Sequence, residues 1–512
     1  MSNPSNAFKT AVLSVGKMSA LLASIAMAAV LARLLSKADY GAFIQVITLY
    51  TVLSLIFQVG VPQSLYYYMP RLPDSEKRGF AIQGALLLAA QGAVISLILY
   101  AGADFIGRAW NSPQLPALLR TFAPYPILML PIVAMENILV VYNRAVTVAV
   151  FNSLAKMAQF TVVVVPIWLG SSMLLSIRLW VLLAAVEIVI AMFLMLRPLR
   201  GLGTTFRLSR LRDQYVYALP FGLAAFCGAL AAYADKIMVS VMRGPESYAV
   251  YVNGAMELPV VGVIAVAVTM TITPTLVVYA KQGRQADFLQ LWYRSQQKVA
   301  VILFALLGWL IFFAHDAVTL LFSRKYTESA VLFQVYLLLI PARLCCFQSI
   351  MVPLRLNWAY AMAQVAQVLL AYILCLILLP MLGLIGAAAG AVTTVYITMG
   401  IYAVMCSRAL NIRAVDIWAY RQLGLNLVLA IGAGLIAWLA LWVVPSSDYL
   451  CMLLRLAGGG AVFAVIYFVA GARLGVVRWQ ELRAVLVWRA PAVAPATGEA
   501  APALSERVGS TS

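Results

Sequence analysis

Ionisable side chains inside apolar stretches are the residues of this chain best placed to do chemistry. Lys17 stands in AVLSVGKMSALLAS, with Ser14, Gly16 and Ser19 beside it. Asp235 and Lys236 are adjacent in LAAYADKIMVSVM. Asn253 and Glu257 are four apart, the spacing of one helix face, and Tyr248 and Tyr251 lie just before them. Arg343 follows Pro341 in LIPARLCCFQS. A charge in an apolar medium is costly unless it is paired or meets water, so each of these groups faces a cavity or a partner by default. The planar fork of Arg343 matches phosphate oxygens, and a proline inside an apolar helix frees backbone groups that open a polar site. Structural readings stand beside these. Lys17 is close enough to a helix end to snorkel into the interface. Asp235 and Lys236 point about 100° apart on a helix and cannot simply pair. Either one of them faces a cavity and the other a neighbouring helix, or both lie in a helix interface. The Asn253–Glu257 face suits a polar ligand or a packing seam equally.

Other residues carry less. Glu136, Lys156, Arg178 and Glu187 are most simply read as pairing between adjacent helices, the alternative being ion coupling through a carboxylate that gains and loses a proton. The single histidine, His315, precedes Asp316 at the end of an apolar run. One histidine supplies neither a multi-His metal site nor, without a recognisable nucleophile, a catalytic base. The six cysteines include no CxxC spacing, which argues against zinc and against a disulfide framework. No Walker A sequence is present, so ATP is not the energy source within this chain. No cofactor and no metal are expected.

The elements that position these residues follow from composition. Hydrophobic residues make up 64% of the chain and charged residues 11%, leaving too little polar surface for a water-soluble domain. The bilayer is the solvent. About 14 stretches reach the length of about 20 apolar residues that a transmembrane helix needs. They lie near residues 11–34, 41–67, 81–103, 119–141, 147–170, 173–196, 216–240, 248–278, 299–322, 329–352, 358–380, 383–407, 421–444 and 449–472. The expected fold is all-α, a polytopic membrane protein. In the second stretch, Gln45, Thr48, Gln58 and Gln63 mark a face turned away from lipid. Lys+Arg is 36 against Asp+Glu 18, a net charge of +18. The cations concentrate in alternate loops, those holding Arg71, Lys77 and Arg78; Arg200, Arg207, Arg210 and Arg212; Lys281, Arg284, Arg294 and Lys298; and Arg408, Arg413 and Arg421. By the positive-inside rule these loops and both termini are cytoplasmic.

The Gly-punctuated basic segment RPLRGLGTTFRLSRLRDQ divides the first twelve expected spans into halves. The expected organisation is a lobe of about six helices over 1–197, a linker over 198–214, a second such lobe over 215–410, two further helices over 411–475, and a tail over 476–512. In the tail, Val476 to Arg489 has the composition of an amphipathic helix on the inner leaflet, as does the loop near 281–298. From Ala490 the Ala/Pro/Ser-rich sequence is of a disordered type. The halves echo one another. LLSKADYGAF aligns with VMRGPESYAVY, Tyr40 on Tyr248, and FIGRAWNSPQLPALL with LFSRKYTESAVL.

These turns, with ALPFGLAAFCGALAAYADKIMVSVM and LFSRKYTESAVLFQVYLLLIP, resemble the polysaccharide-transport (Wzx-like) flippases of the multidrug/oligosaccharidyl-lipid/polysaccharide exporter superfamily. The resemblance implies two six-helix lobes with a pseudo-two-fold relation around a cavity that opens alternately to each side. It implies a substrate, undecaprenyl-pyrophosphate-linked oligosaccharide, carried across the bacterial inner membrane. On that reading Lys17, Lys236 and Arg343 meet the pyrophosphate, while Asp235, Asn253 and Glu257 line the same cavity. Membrane lipids and polysaccharide polymerase or export machinery are the expected partners, and nucleic acid is not. A cation-coupled drug exporter of the same superfamily would need a more acidic cavity. A membrane-embedded polymerase or acyltransferase would need a large catalytic loop or a His-centred site. The topology makes a direct prediction. A cysteine placed in the 198–214 segment of a cysteine-free variant is labelled by an impermeant reagent only from the cytoplasmic side. Labelling from outside overturns the orientation.

Overall fold

The computed structural model describes residues 21–58, 60–205, 209–446 and 448–477. Lys17, linker residues 206–208 and the tail from 478 onward lie outside the described residues. Every regular element among the described residues is a helix. Helices are the form in which a chain crosses hydrocarbon with its backbone bonds met internally, other than a closed barrel.

The chain divides into two compact units, 1–252 and 253–512. In the first, α1 (Leu21–Leu34) and α2 (Lys37–Phe57) are joined by Ser36, whose hydroxyl caps α2 by accepting from the Asp39 amide at 3.1 Å. After a left-handed Gly60 the second apolar stretch resumes as α3 (Val61–Tyr68). Then come α4 (Asp74–Ala101), α5 (Ala103–Ala109), α6 (Leu115–Phe122), α7 (Tyr125–Val141), α8 (Ala145–Trp168), α9 (Met173–Leu196) and most of α10 (Ser209–Gly254). An aromatic cluster of Tyr50, Phe122, Tyr125 and Trp180 joins α2, α6, α7 and α9, with centroids 4.5–5.6 Å apart. The second unit continues with α11 (Pro259–Lys281), α12 (Gln285–Phe322), α13 (Ser329–Leu337), α14 (Ile340–Arg343), α15 (Gln348–Met351), α16 (Asn357–Leu410), α17 (Tyr420–Ala440) and α18 (Tyr449–Arg473).

The all-helical membrane architecture holds, and among the described residues the count of about fourteen spans is not confirmed. Among the described residues ten helices are long and apolar enough to cross, or up to eleven when the bent pair α6–α7 is taken as one span. The difference has identifiable sources. The first expected span is described only from Leu21. The expected spans at 358–380 and 383–407 form one run, α16, broken at Gly383 with φ 62°. A Cβ on Gly386 would lie 1.9 Å from the Leu378 carbonyl oxygen, and Tyr402 donates to Gln364 at 3.2 Å, so the chain doubles back there as a helical hairpin. Gly244, φ 72°, breaks α10 in the same way.

Residues 285–298, expected on the lipid surface, instead begin α12 and dock on protein. Trp292 is buried and its indole N–H donates to the Ile417 carbonyl at 2.9 Å. Gln296 donates to the same carbonyl at 3.2 Å and accepts from the Ala419 amide at 3.1 Å. Tyr293 donates to the Asp416 carbonyl. Irregular backbone over 414–419 thus finds partners in α12, which hydrocarbon would not have provided.

Small residues set the closest helix contacts of the second unit, as expected where lipid gives no hydrophobic drive to association. A Cβ on Gly434 of α17 would sit 2.0 Å from the Gly308 carbonyl oxygen of α12. A Cβ on Gly308 would sit 2.4 Å from the Ala430 oxygen. The backbones touch, so a side chain there must push the helices apart. Gly434→Val is expected to cost about 1–3 kcal/mol or more by overpacking and to lower the thermal midpoint of the detergent-solubilised protein. Gly432→Val, on the same helix with nothing within 4 Å of its Cβ position, is the matched control. Equal midpoints for the two variants would contradict the contact.

Candidate functional site

The sequence candidates fall into separate places. In the first unit, α10 and the segment after its Gly244 break carry a polar layer facing α2. Gln45 donates to Ser240 at 2.8 Å, and Tyr248 donates to Thr48 at 2.6 Å. Tyr251 donates to Asp235 Oδ2 at 2.6 Å. Gln45, Asp235, Ser240, Tyr248 and Tyr251 are all buried. Of the polar face expected on the second stretch, Gln45 and Thr48 pack on α10, while Gln63, past the Gly60 break, is exposed. Tyr248 and Tyr251 are core residues, not borders of an open face. Asp235 turns into this core. Lys236, one position on, is half-buried with its ammonium 5.3 Å from the Tyr233 ring centre. The Gly41 position fixes how closely the two elements approach, since a Cβ there would fall 2.0 Å from the Pro245 carbonyl oxygen.

The second unit brings two candidates together. Helix α10 ends at Gly254, and residues 255–258 are non-helical before α11 starts at Pro259. Asn253 and Glu257 are therefore not on one helix face. The spacing argument needs a continuous helix, and the helix stops between them. The residue before a proline is disfavoured in helical conformation, and Leu258 is extended at φ −65°, ψ 124°. Gly254 also runs against another helix start, with its Cβ position 2.4 Å from the Ser329 carbonyl oxygen. Asn253 is buried in the last turn of α10.

Arg343 lies at a second break. The stretch 329–351 is three short helices, α13, α14 and α15, with Pro341 in α14. Arg343 reaches Glu257 in a two-pronged contact: Nε donates to Oε2 at 3.2 Å, and Nη2 donates to Oε1. Their side chains are 41% and 42% exposed. Two broken helices thus meet through a fork-to-carboxylate pair, the strong form of a charge-assisted bond. The enclosed space beside the pair, bordered by Met256, Val261, Tyr336 and Ile340, is only ≈ 10 Å³, about the room one water needs. Glu257 occupies the Nε and Nη2 donors of the guanidinium, whose side chain stays 41% exposed.

Several polar contacts were not foreseen. Asp316 of α12 is buried and pairs with Arg455 of α18 at 3.1 Å, while His315 sits half-exposed at 3.6 Å from the other Asp316 oxygen. An arginine inside the last apolar stretch was a legible sign of such a pair. Glu136 accepts from Asn152 at 2.7 Å across α7 and α8, and Lys156 donates to Gln159 on its own helix at 2.8 Å.

The fold has known counterparts. The inward closed conformation of the lipid II flippase MurJ superposes with TM-score 0.69 at 11% identity, over 90% of this chain and 99% of that one. An inward-facing multidrug resistance MATE family transporter of the MOP superfamily gives 0.58 at 15% identity, over 79% and 99%. A MOP superfamily transporter from Pyrococcus furiosus gives 0.54 at 13% identity, over 78% and 95%. At these identities the likeness establishes the fold, that of MOP-type transporters, and with it a multi-pass membrane protein. No curated protein sequence matches this one. The profile of the polysaccharide biosynthesis proteins matches residues 7–279, more than half of the 512 residues. The chain therefore belongs to the polysaccharide biosynthesis protein family.

Proposed function

We propose that this protein is a flippase that moves undecaprenyl-pyrophosphate-linked oligosaccharide units across the bacterial inner membrane by alternating access. The product would feed exopolysaccharide, capsule or O-antigen assembly, with a polymerase and export machinery as partners. Both termini would be cytoplasmic, and the protein would make and break no covalent bond itself. Family membership and the transporter fold support this reading. The observation that carries it is the Arg343–Glu257 pair at the meeting of two helix breaks.

A pyrophosphate crossing hydrocarbon without partners would meet a prohibitive desolvation cost. Fixed cations offset that cost, but binding must remain weak enough for release. The pair satisfies both demands. Incoming pyrophosphate exchanges with Glu257 for the Arg343 fork, and the returning carboxylate helps expel it. Because one anion replaces another on the same guanidinium, the net gain is small, as transport requires. Lys17 and Lys236 supply further cations along the path. Asp235, which accepts from Tyr251, ties together the two segments of α10 across the Gly244 break.

Complementation of polysaccharide export, with protein level measured in parallel, tests the assignment. Arg343→Ala is expected to reduce export by about tenfold or more, the loss of one charge-assisted contact. Arg343→Lys is milder if charge dominates and equally damaging if the planar fork matters. Glu257→Gln removes the competing carboxylate, so the substrate binds more tightly and leaves more slowly. Wild-type export from Lys17→Ala, Lys236→Ala and Arg343→Ala, each at normal protein level, would eliminate the mechanism.

A further inference from the structure

We infer that Glu187 and Lys156 form a proton-exchange site at the centre of the first unit, through which a proton gradient drives transport. Lys156 stands at the middle of the 24-residue α8, and Glu187 just past the middle of the 24-residue α9. At 1.5 Å per residue, each is about 13 Å or more from either end of its helix. The two helices pack on each other and are joined by the short turn at 169–172. Opposite charges therefore lie at similar depths on neighbouring helices, where hydrocarbon makes pairing the expected outcome.

They do not pair. Lys156 is half-buried, and its ammonium donates to the Gln159 amide oxygen at 2.8 Å on its own helix. Glu187 is buried, at 8% exposure, with neither an ion pair nor a hydrogen bond among the described residues. Lys156 acts on it from beyond ion-pair distance. Of the four ionisable residues that the sequence places in these apolar helices, Glu136 is bonded to Asn152 and Arg178 is exposed. Glu187 is the acid left bare.

A bare carboxylate without a donor is too costly to hold at that depth. The arrangement fits the neutral acid, with a proton on one Glu187 oxygen and Lys156 released to Gln159. When that proton leaves to water, the carboxylate forms and draws the ammonium across. One O–H bond breaks, the Lys156 N–H bonds stay intact, and the charge of the site falls from +1 to zero. One proton thus selects between two arrangements of the α8–α9 seam.

The surroundings leave Lys156 as the counter-charge. Of the elements packed on α9, α7 offers Tyr125 and Glu136, and α6 offers Arg120, which is paired with Asp104. Arg178 and Arg197 are about 14 and 15 Å from Glu187 along the axis of α9. Lys156 and Tyr125 are the groups that act on Glu187. A polar line also leads away from the site. Asn152, Lys156 and Gln159 share one face of α8 by their spacing. Asn152 donates to Glu136 at 2.7 Å, and Glu136 acts on Tyr66, whose side chain is exposed. Polar groups lined up in this way within apolar helices are where water enters. The use made of the proton rests on the flippase reading, whereas the site itself does not.

The test begins with full-length protein in nanodiscs at neutral pH. Infrared spectroscopy is expected to show a carboxylic-acid C=O band that moves on transfer to D2O, as an acid in exchange with water must. Glu187→Gln, nearly the same in shape, is expected to lose that band, and Asp104→Asn to keep it. Matching wild-type and Glu187→Gln spectra, or a band unmoved by D2O, overturns the site. In proteoliposomes, a gradient of about two pH units is expected to change the wild-type translocation rate of undecaprenyl-pyrophosphate disaccharide about tenfold or more. Glu187→Gln is expected to translocate without responding to the gradient. A wild-type rate indifferent to the gradient, or a Glu187→Gln rate that responds as the wild type does, overturns the proposal. Absence of wild-type translocation under every gradient sinks the flippase reading instead, and the infrared result then decides the site.

Discussion

Backbone amides in hydrocarbon have no water to bond, so a helix can break there only where protein or a wet cavity receives the freed groups. The functional geometry of this chain depends on that constraint. Residues 255–258 and the segment around α14 are both irregular within otherwise apolar stretches, and they lie against each other in the second unit. Glu257 and Arg343 meet where the regular backbone stops. Two charges that would be prohibitive on lipid-facing helices are tolerable because each has the other and a route to solvent. The breaks create the meeting point, and its two charges are what the breaks can accommodate.

The second unit contains a contrasting pair. Asp316 and Arg455 are 3% and 15% exposed, and the arginine's Nη1 donates to the Val444 carbonyl at 3.3 Å. A buried pair of that kind is hard to separate, because removing one partner strands the other in low dielectric. It clamps α18 to α12, beside the contact of Gly459 with the Phe313 ring. The Glu257–Arg343 pair is about 40% exposed on both sides, so neither partner is locked into the protein interior as Asp316 is. Exposure, not distance, separates a structural tie from an exchangeable one. Similar logic applies in the first unit, where the tyrosine, threonine and glutamine bonds between α2 and α10 are fully internal. Interhelical hydrogen bonds in membranes are individually modest, about 0.6 kcal/mol on average, so this layer acts chiefly by fixing register.

Much of the fold was legible because its cause is local. Apolar runs marked the spans, and Gln45 and Thr48 marked the buried face of α2. Gly383 fell at the expected junction of two spans. The pairing of Glu257 with Arg343 was not legible, because 86 residues separate them and nothing local signals the contact. Their types and apolar surroundings singled them out, but their relation is a property of the tertiary fold. Asn253 and Glu257 show the opposite failure. Their spacing was informative only if the helix continued, and Pro259, present in the sequence, already argued that it did not. Trp292 and Gln296 stand in a segment whose composition suits the inner leaflet, and only the tertiary fold sets the 414–419 segment against them.

On the proposed function, anion exchange at the Arg343–Glu257 pair lets a pyrophosphate-linked lipid cross the bilayer. Its most direct measurement is translocation in proteoliposomes holding purified protein, with a fluorescent undecaprenyl-pyrophosphate disaccharide whose inner-leaflet pool is shielded from an external quencher. Wild-type protein is expected to make the inner pool quenchable and to move a lipid bearing the same disaccharide without phosphate far more slowly. Arg343→Gln is expected to lose the preference for the pyrophosphate lipid. Equal rates for the two lipids, or a preference that survives Arg343→Gln, would contradict it.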